Sequence, residues 1–89
     1  MNWQIDFSKV SVKFLEYNKI TDDIIISHLL RVIKKFRGEN ISIDLKKMKG
    51  EWKGFYRLRI GKIRIIFKIE FQNQQIYIDR IDFRGDIYK

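Results

Sequence analysis

The spacing of hydrophobic positions changes along the chain from alternation to a helical repeat. Residues 3–7 alternate between apolar and polar side chains, which predicts a short β-strand. Ser8 can cap a helix that follows, because its hydroxyl can accept a hydrogen bond from a free amide of the first turn. Val10, Phe14 and Tyr17 recur at a helical spacing, so we expect them on the buried side of this helix.

A second helix is predicted between Thr21, a candidate N-cap, and Gly38, where the helical pattern stops. Acidic residues in its first turn and basic residues in its last turn both suit the helix dipole. Its apolar stripe consists of Ile25, Leu29, Val32 and Phe36, widened by Ile26, Leu30 and Ile33. The two helices are therefore expected to form a hairpin with one apolar side.

The second half of the chain has the pattern of an antiparallel meander. Residues 39–54 are polar and predict an irregular connection. Three strands are predicted at 55–60, 63–71 and 76–83, the first two joined by a two-residue loop that suits a type II′ turn. The order β-α-α-β-β-β predicts an α+β fold in which a helical hairpin packs on a small antiparallel sheet. We expect the 89 residues (1–89) to form one domain.

The two-residue loop fixes the register of the first hairpin. It pairs Ile60 with Ile63, and therefore Arg59 with Arg64. Arg57, Arg59 and Arg64 then share the sheet face that points away from the helices. Like charges that lie opposite each other in a sheet are destabilising, so replacing Arg64 is expected to raise stability slightly.

The second hairpin is predicted to have a four-residue turn at 72–75. This turn would pair Phe71 with Ile76 and place Arg64 opposite Phe83. Since the chain has no carboxylate between Glu51 and Glu70, we expect the three arginines to lack nearby counter-charges.

Basic charge is concentrated in the second half of the chain. The formal net charge is +8, and the segment 46–64 alone holds eight basic residues against the single acid Glu51. Such a field attracts nucleic acid, an acidic protein or an anionic membrane. The alternative is a solvated face whose charge serves solubility.

Several classes of site are disfavoured by the composition. Without cysteine there is neither a disulfide nor a thiolate metal site, which suits the cytoplasm. No apolar run is long enough to span a membrane, and neither a cofactor, a metal nor a small-molecule ligand is predicted. His28 is the only histidine and is expected to be structural, while Asp79, Asp82 and Asp86 are expected to be counter-charges.

Three guanidinium groups on one sheet face suit a phosphate ligand, because their forked donors match phosphate oxygens. Reading the bases of a single strand would also need aromatic rings. Phe55, Phe83 and Tyr88 are candidates for stacking, although each can equally be packed against a neighbour.

Segments 45–50, 55–67 and 80–89 together resemble the core signature of RelE/ParE toxins. The resemblance covers nearly the whole chain. It implies a toxin that a cognate antitoxin holds inactive. The RelE branch cuts mRNA on the ribosome, by attack of a ribose 2′-hydroxyl on its own phosphate, and uses basic side chains without a metal. The ParE branch keeps the fold and inhibits DNA gyrase without this catalytic set.

The resemblance also implies roles for individual residues. Arg64 matches the arginine that stabilises phosphate charge, and Arg84 matches the C-terminal arginine that assists the leaving oxygen. Arg57 and Arg59 fall where the family often has lysines, one of them proposed as the base. Tyr88 matches a tyrosine that helps to orient the substrate.

Two departures from the RelE pattern concern proton transfer. A guanidinium is a poor proton acceptor, so Arg57 and Arg59 cannot readily replace a basic lysine. Phe83 stands where several nuclease relatives have histidine, and Glu51 is a candidate carboxylate base. The resemblance implies a ribosome-dependent mRNA endoribonuclease. The alternatives are a ParE-like, non-catalytic gyrase inhibitor and a catalytically inactive relative that binds only an acidic partner.

Overall fold

The computed structural model describes residues 2–83, in which two helices cover one face of a five-stranded sheet. The elements are β1 (Gln4–Phe7), α1 (Lys9–Tyr17), α2 (Asp22–Phe36), β2 (Asp44–Lys47), β3 (Tyr56–Ile60), β4 (Ile63–Glu70) and β5 (Gln75–Phe83), with a short 3-10 helix at Gly50–Trp52. The strand order is β1-β5-β4-β3-β2. The predicted α+β fold with a helical hairpin on a mostly antiparallel sheet is confirmed.

Two strands extend the predicted meander. β1 pairs parallel with β5 at one edge of the sheet. β2 lies within the connection that was predicted to be irregular, and it pairs antiparallel with β3 at one edge of the sheet. Its four residues are mostly exposed and polar, so the hydrophobic pattern gave no signal for a strand.

The core lies between the helices and one face of the sheet. Its buried members are Leu15, Ile25, Leu29, Val32, Ile33, Leu58, Ile63, Ile65, Phe67, Ile76, Ile78 and Ile81. The predicted stripe of α2 is confirmed except at its end, where Phe36 is 40% exposed. Thr21 is the N-cap of this helix, but its side chain makes no capping hydrogen bond.

The buried side of α1 was predicted incorrectly. Val10 and Tyr17 are 59% and 87% exposed, whereas Ser11 and Leu15 are buried. The helix is rotated because Ser8 and Ser11 both reach the backbone of β5, which places the serine side of α1 against the sheet. A hydrogen-bonded serine thus lies on the buried side of α1, where the hydrophobic pattern predicted apolar residues.

The register of the β3–β4 hairpin is confirmed. Ile60 lies opposite Ile63, and Arg59 lies opposite Arg64. Gly61 has a φ of 56°, which the first loop residue of a type II′ turn requires and which favours glycine.

The β4–β5 register differs from the prediction. Phe71 does not pair with Ile76; instead, Ile69 lies opposite Ile76, and the turn begins one residue earlier than predicted. This pairing also places Ile78 opposite Phe67, so that apolar side chains meet on the helix-facing side of both strands. The predicted pairing would have set Phe67 against a charged residue of β5.

A β-bulge in β5 restores the alternation further along the strand. Ile78 and Ile81 both face the core although they are three positions apart, and the extra residue is Asp79. After the bulge, Asp82 points to the opposite face of the sheet, where it lies across from Arg64.

Ser8 fixes the backbone of the bulge from the helix side. Its hydroxyl donates to the carbonyl oxygen of Asp79 at 2.6 Å, and its amide donates to the carbonyl oxygen of Ile78 at 2.9 Å. The same hydroxyl oxygen accepts from the amide of Ser11 at 3.1 Å, which confirms Ser8 as the N-cap of α1. One side chain therefore joins the start of the helix to the irregular point of β5.

No helix within residues 2–83 is long and apolar enough to cross a membrane.

Candidate anion-binding groove

The sheet face away from the helices, here called the outer face, carries its side chains in three cross-strand rows. The first row is Asp44, Arg59, Arg64 and Asp82; the second is Lys46, Arg57, Ile66 and Arg80; the third contains Lys68 and Tyr77. The rows follow from the strand registers, since residues that lie opposite each other point to the same face. The predicted site residues Arg57, Arg59 and Arg64 are thereby brought together.

The first row places an aspartate at each end of an arginine pair. Arg64 lies opposite Asp82 rather than Phe83, and its Nε donates to Oδ1 of Asp82 at 3.2 Å. At the other end, the carboxylate of Asp44 is 3.8 Å from Nη1 of Arg59. The expectation that these arginines lack nearby counter-charges is therefore wrong, because the acids come from strands that are distant in sequence.

Arg57 lies in the second row and is only 8% exposed. Its Nη2 donates to Oδ1 of Asp44 at 3.2 Å, so the carboxylate of Asp44 contacts both Arg57 and Arg59. Its Nη1 is buried and has no hydrogen-bond partner among residues 2–83. A buried donor without an acceptor is costly, so Nη1 of Arg57 lowers the stability of the structure as described.

Lysines from β2 and the following loop complete a basic groove beside the arginines. The groove has a volume of about 380 Å³, and its lining residues are Lys46, Lys47, Met48, Lys49, Arg57, Arg59 and Arg64. Lys46 lies directly opposite Arg57 on the outer face. We call this surface the basic groove.

The lysines of the basic groove were not among the predicted site residues. They were visible as a run of charge, but their position depends on β2, which the sequence pattern did not indicate. Once β2 pairs with β3, the run at 46–49 must lie beside the arginines.

The chemistry available in the basic groove is anion binding. Six cations line it, and the two carboxylates that contact its arginines leave an excess of positive charge. Arginine side chains held by Asp44 and Asp82 have a fixed direction, which lowers the entropy lost when they bind phosphate oxygens. The described residues hold no group of three His, Asp or Glu side chains arranged for a metal ion.

The other predicted residues are distributed over the molecule. Phe83 lies on the helix side, where its ring packs on Phe14 at 5.0 Å between centroids, so it is not a stacking residue of the outer face. Glu51 is exposed in the 3-10 helix and is not among the residues that line the basic groove. His28 bonds the carbonyl oxygen of Ile24 through Nδ1 at 2.8 Å.

Three predicted residues are close in sequence to the end of β5. Arg84, Asp86 and Tyr88 lie outside the residues that the structure describes, and their roles stay predictions. Asp79 and Asp82 do pair with arginines, as predicted, at 3.7 Å from Arg80 and 3.2 Å from Arg64.

Comparison with solved structures identifies the fold. An archaeal RelE–RelB complex from Pyrococcus horikoshii matches with a TM-score of 0.60 and 23% identity, over 97% of this chain and 99% of that chain. The YoeB–YefM toxin–antitoxin heterotetramer of Staphylococcus aureus matches with a TM-score of 0.63 and 19% identity, over 94% and 99%. A metal-bound toxin from Helicobacter pylori matches with a TM-score of 0.69 and 14% identity, over 96% and 98%.

Comparison of the amino-acid sequence with protein families and with curated proteins found no match. The chain has the fold of RelE-like toxins of toxin–antitoxin systems, as its resemblance in sequence predicted.

Proposed function

We propose that this protein is a RelE-like toxin, an endoribonuclease that cuts mRNA on the ribosome and so inhibits translation. The observation that carries the proposal is the basic groove, where Arg57, Arg59 and Arg64 converge on the outer face of this fold. Arginine side chains suit a phosphodiester, because a guanidinium can donate parallel hydrogen bonds to two phosphate oxygens.

The proposed reaction is an internal transfer within the RNA. The oxygen of a ribose 2′-hydroxyl attacks the adjacent phosphorus, a bond forms between them, and the bond from phosphorus to the 5′ oxygen of the next nucleotide breaks. The products are a 2′,3′-cyclic phosphate and a 5′-hydroxyl end. Negative charge grows on the non-bridging oxygens during the attack, and donors that are already oriented stabilise it without reorganisation.

Arg64 and Arg57 are the side chains best placed to stabilise that charge. Arg64 is oriented by Asp82, and Arg57 is oriented by Asp44. Arg59 adds charge to the same surface.

The residues of the basic groove do not by themselves supply the groups needed for proton transfer. The arginines cannot act as bases near neutral pH, and Glu51 is turned to solvent in the 3-10 helix. By the resemblance, Arg84 assists the leaving oxygen and Tyr88 orients the substrate. We propose that the ribosome supplies the remaining alignment of the 2′-hydroxyl, which would make cleavage depend on it.

The proposed regulator is a cognate antitoxin with an acidic segment. Similar structures were solved as complexes with RelB or YefM antitoxins. We propose that carboxylates of the antitoxin occupy the basic groove near Arg57, Arg59 and Arg64, which neutralises the groove and excludes RNA. Charge complementarity of this kind also speeds association.

Mapping mRNA ends in cells tests the proposal. Induction of the protein should create new 5′-hydroxyl ends inside translated frames, and Arg64→Gln should abolish them. The matched control is Arg37→Gln, which removes the same charge from the exposed end of α2. DNA breaks with intact mRNA would instead support the ParE-like inhibition of gyrase and would overturn the proposal.

A further inference from the structure

A group of aromatic rings and cations lies beside the basic groove on the outer face. It consists of Trp52, Phe55, Lys68, Tyr77 and Arg80, and we call it the cation–aromatic patch. Nζ of Lys68 is 5.7 Å from the ring centre of Phe55 and 5.8 Å from that of Tyr77. The guanidinium of Arg80 is 5.3 Å from the ring centre of Trp52, whose ring meets that of Phe55 edge to face at 5.3 Å.

The patch and the basic groove share one row of the sheet. Arg57 lies opposite Ile66, and Ile66 lies opposite Arg80, so two strand spacings of about 4.8 Å each separate the two arginines. Ile66 is 1% exposed although it points away from the core. Ile66 is therefore shielded from solvent at the point where the groove and the patch meet.

The rings of the patch are accessible. Tyr77 is 39% exposed, and the side chain of Arg80 is 48% exposed. Trp52 and Phe55 are partly exposed and are held by the 3-10 helix and the loop that follows it. Exposed rings beside a strongly basic surface are the combination that binds single-stranded nucleic acid, because the rings stack on bases while the cations attract the backbone.

We propose that the cation–aromatic patch binds nucleobases of single-stranded RNA, next to the phosphate that the basic groove holds. This inference rests on the proposed function and adds a second part to its site. A base would stack on the face of Tyr77 or Trp52 that Lys68 or Arg80 does not cover. Duplex RNA would bind poorly, since its bases are already stacked and its ring faces are not accessible.

Two carboxylates near the patch already have partners. Asp79 pairs with Arg80 at 3.7 Å, and Glu70 accepts a hydrogen bond from the backbone amide of Gln72 at 3.1 Å. The rings of the patch carry no charge, so Lys68 and Arg80 attract a polyanion despite the exposed Glu51 that precedes Trp52. An acidic peptide would be attracted by the same cations, but it has no nucleobases to stack on the faces of the rings.

Tryptophan fluorescence gives a direct test, because the chain has two tryptophans. Trp3→Phe leaves Trp52 as the reporter in the patch, and Trp52→Phe leaves Trp3 as the matched control. Each variant is titrated with a short 2′-O-methylated RNA strand, which lacks the attacking hydroxyl, and with an abasic strand of the same length. We expect the base-bearing strand to quench Trp52 and not Trp3.

Substitution of the rings should separate bases from phosphates. Tyr77→Ala should weaken binding of the base-bearing strand by about 5- to 150-fold, the range for loss of one stacked base. It should leave binding of the abasic strand unchanged, and Tyr77→Phe should restore the lost affinity. Tyr17→Ala is the matched control, since Tyr17 is 87% exposed on α1, away from the outer face.

The outcomes separate the two proposals. Equal binding of base-bearing and abasic strands, with no effect of Tyr77→Ala, would overturn the base-binding inference alone. Loss of both strands in Arg64→Gln is expected in either case, because the phosphate contact is common to them. If neither strand binds the wild-type protein, on or off the ribosome, the proposed function is overturned as well.

Discussion

Arg64 and Asp82 lie opposite each other on β4 and β5, and both carboxylate oxygens of Asp82 accept hydrogen bonds from Arg64. The Nε–Oδ1 and Nη2–Oδ2 distances are 3.2 and 3.3 Å. Arg64, which is proposed to stabilise the phosphate charge, therefore also forms a mostly buried ion pair that contributes to the stability of the fold. This reverses the expectation that replacing it would raise stability.

Replacing Arg64 by Ala should lower the free energy of unfolding by about 1.5–3 kcal/mol, the range for hydrogen bonds to a charged group. The side chain is 8% exposed, so solvent compensates little for the loss. Chemical denaturation of Arg64→Ala, Asp82→Ala and the double variant measures the coupling, and the double variant should lose less than the sum of the singles.

A surface pair supplies the comparison for Arg64. Asp79 and Arg80 are 3.7 Å apart and more exposed, so Arg80→Ala should change stability by less than about 1 kcal/mol. A rise in stability for Arg64→Ala would show that repulsion from Arg59 outweighs the pairing with Asp82.

Replacing Asp44 by Asn should strengthen RNA binding. Its carboxylate contacts Arg57 and Arg59, and it competes with phosphate for both guanidiniums. With this competitor gone, we expect one further phosphate contact, which would steepen the plot of log affinity against log salt by about 0.7 for a single strand. Titration of labelled RNA over a range of salt concentrations measures the slope.

Asp6→Asn is the control for Asp44→Asn. It makes the same change of charge on an exposed residue of β1, at the other edge of the sheet. A similar gain in both variants would mean that net charge alone attracts RNA, and that Asp44 has no particular relation to the groove.

Replacing Ser8 by Ala should cost about 1–2 kcal/mol of stability, because the N-cap of α1 and the bond to the bulge carbonyl are lost together. Ser27→Ala is the control, since the hydroxyl of Ser27 bonds only the carbonyl oxygen of Ile24 in its own helix, on an exposed face. Equal melting temperatures for the two variants would show that Ser8 does not support the bulge.

Cleavage should continue when metal ions beyond those needed by the ribosome are removed. The basic groove is lined by lysines and arginines, which repel a divalent cation and can stabilise phosphate charge themselves. Addition of chelator to programmed ribosomes, with end mapping before and after, measures this. A loss of cleavage that a divalent cation restores, while ribosomes stay intact, would contradict it.

The fold could be predicted from sequence where one side chain pattern dominated. The stripe of α2 and the two-residue loop after Ile60 each allowed one arrangement, and both are confirmed apart from the exposed Phe36. In α1 the pattern failed, because Ser11 is buried through hydrogen bonds and not through hydrophobicity. Periodicity does not detect that kind of burial.

The sequence predicted the arginines of the candidate site but not the acidic residues that pair with them. The three arginines follow from the register of one hairpin, but their partners Asp44 and Asp82 depend on a short polar strand and on a bulge. The bulge did leave a trace in the sequence, as the three-residue spacing between Ile78 and Ile81 where two is usual. Both acids lie far from these arginines along the chain, so counting charges along the sequence did not assign them as partners, although Asp82 was expected to be a counter-charge.

The position of β2 at the edge of the sheet has a consequence for solubility. Within residues 2–83 no strand covers its outer side, so its backbone amides and carbonyls are open to pairing with another molecule. Lys46 and Lys47 lie on this strand, and like charges on two approaching edges keep them apart. Neutralising these lysines to weaken RNA binding would also remove the protection against aggregation, so a loss of toxicity in such variants must be compared at equal amounts of monomeric protein.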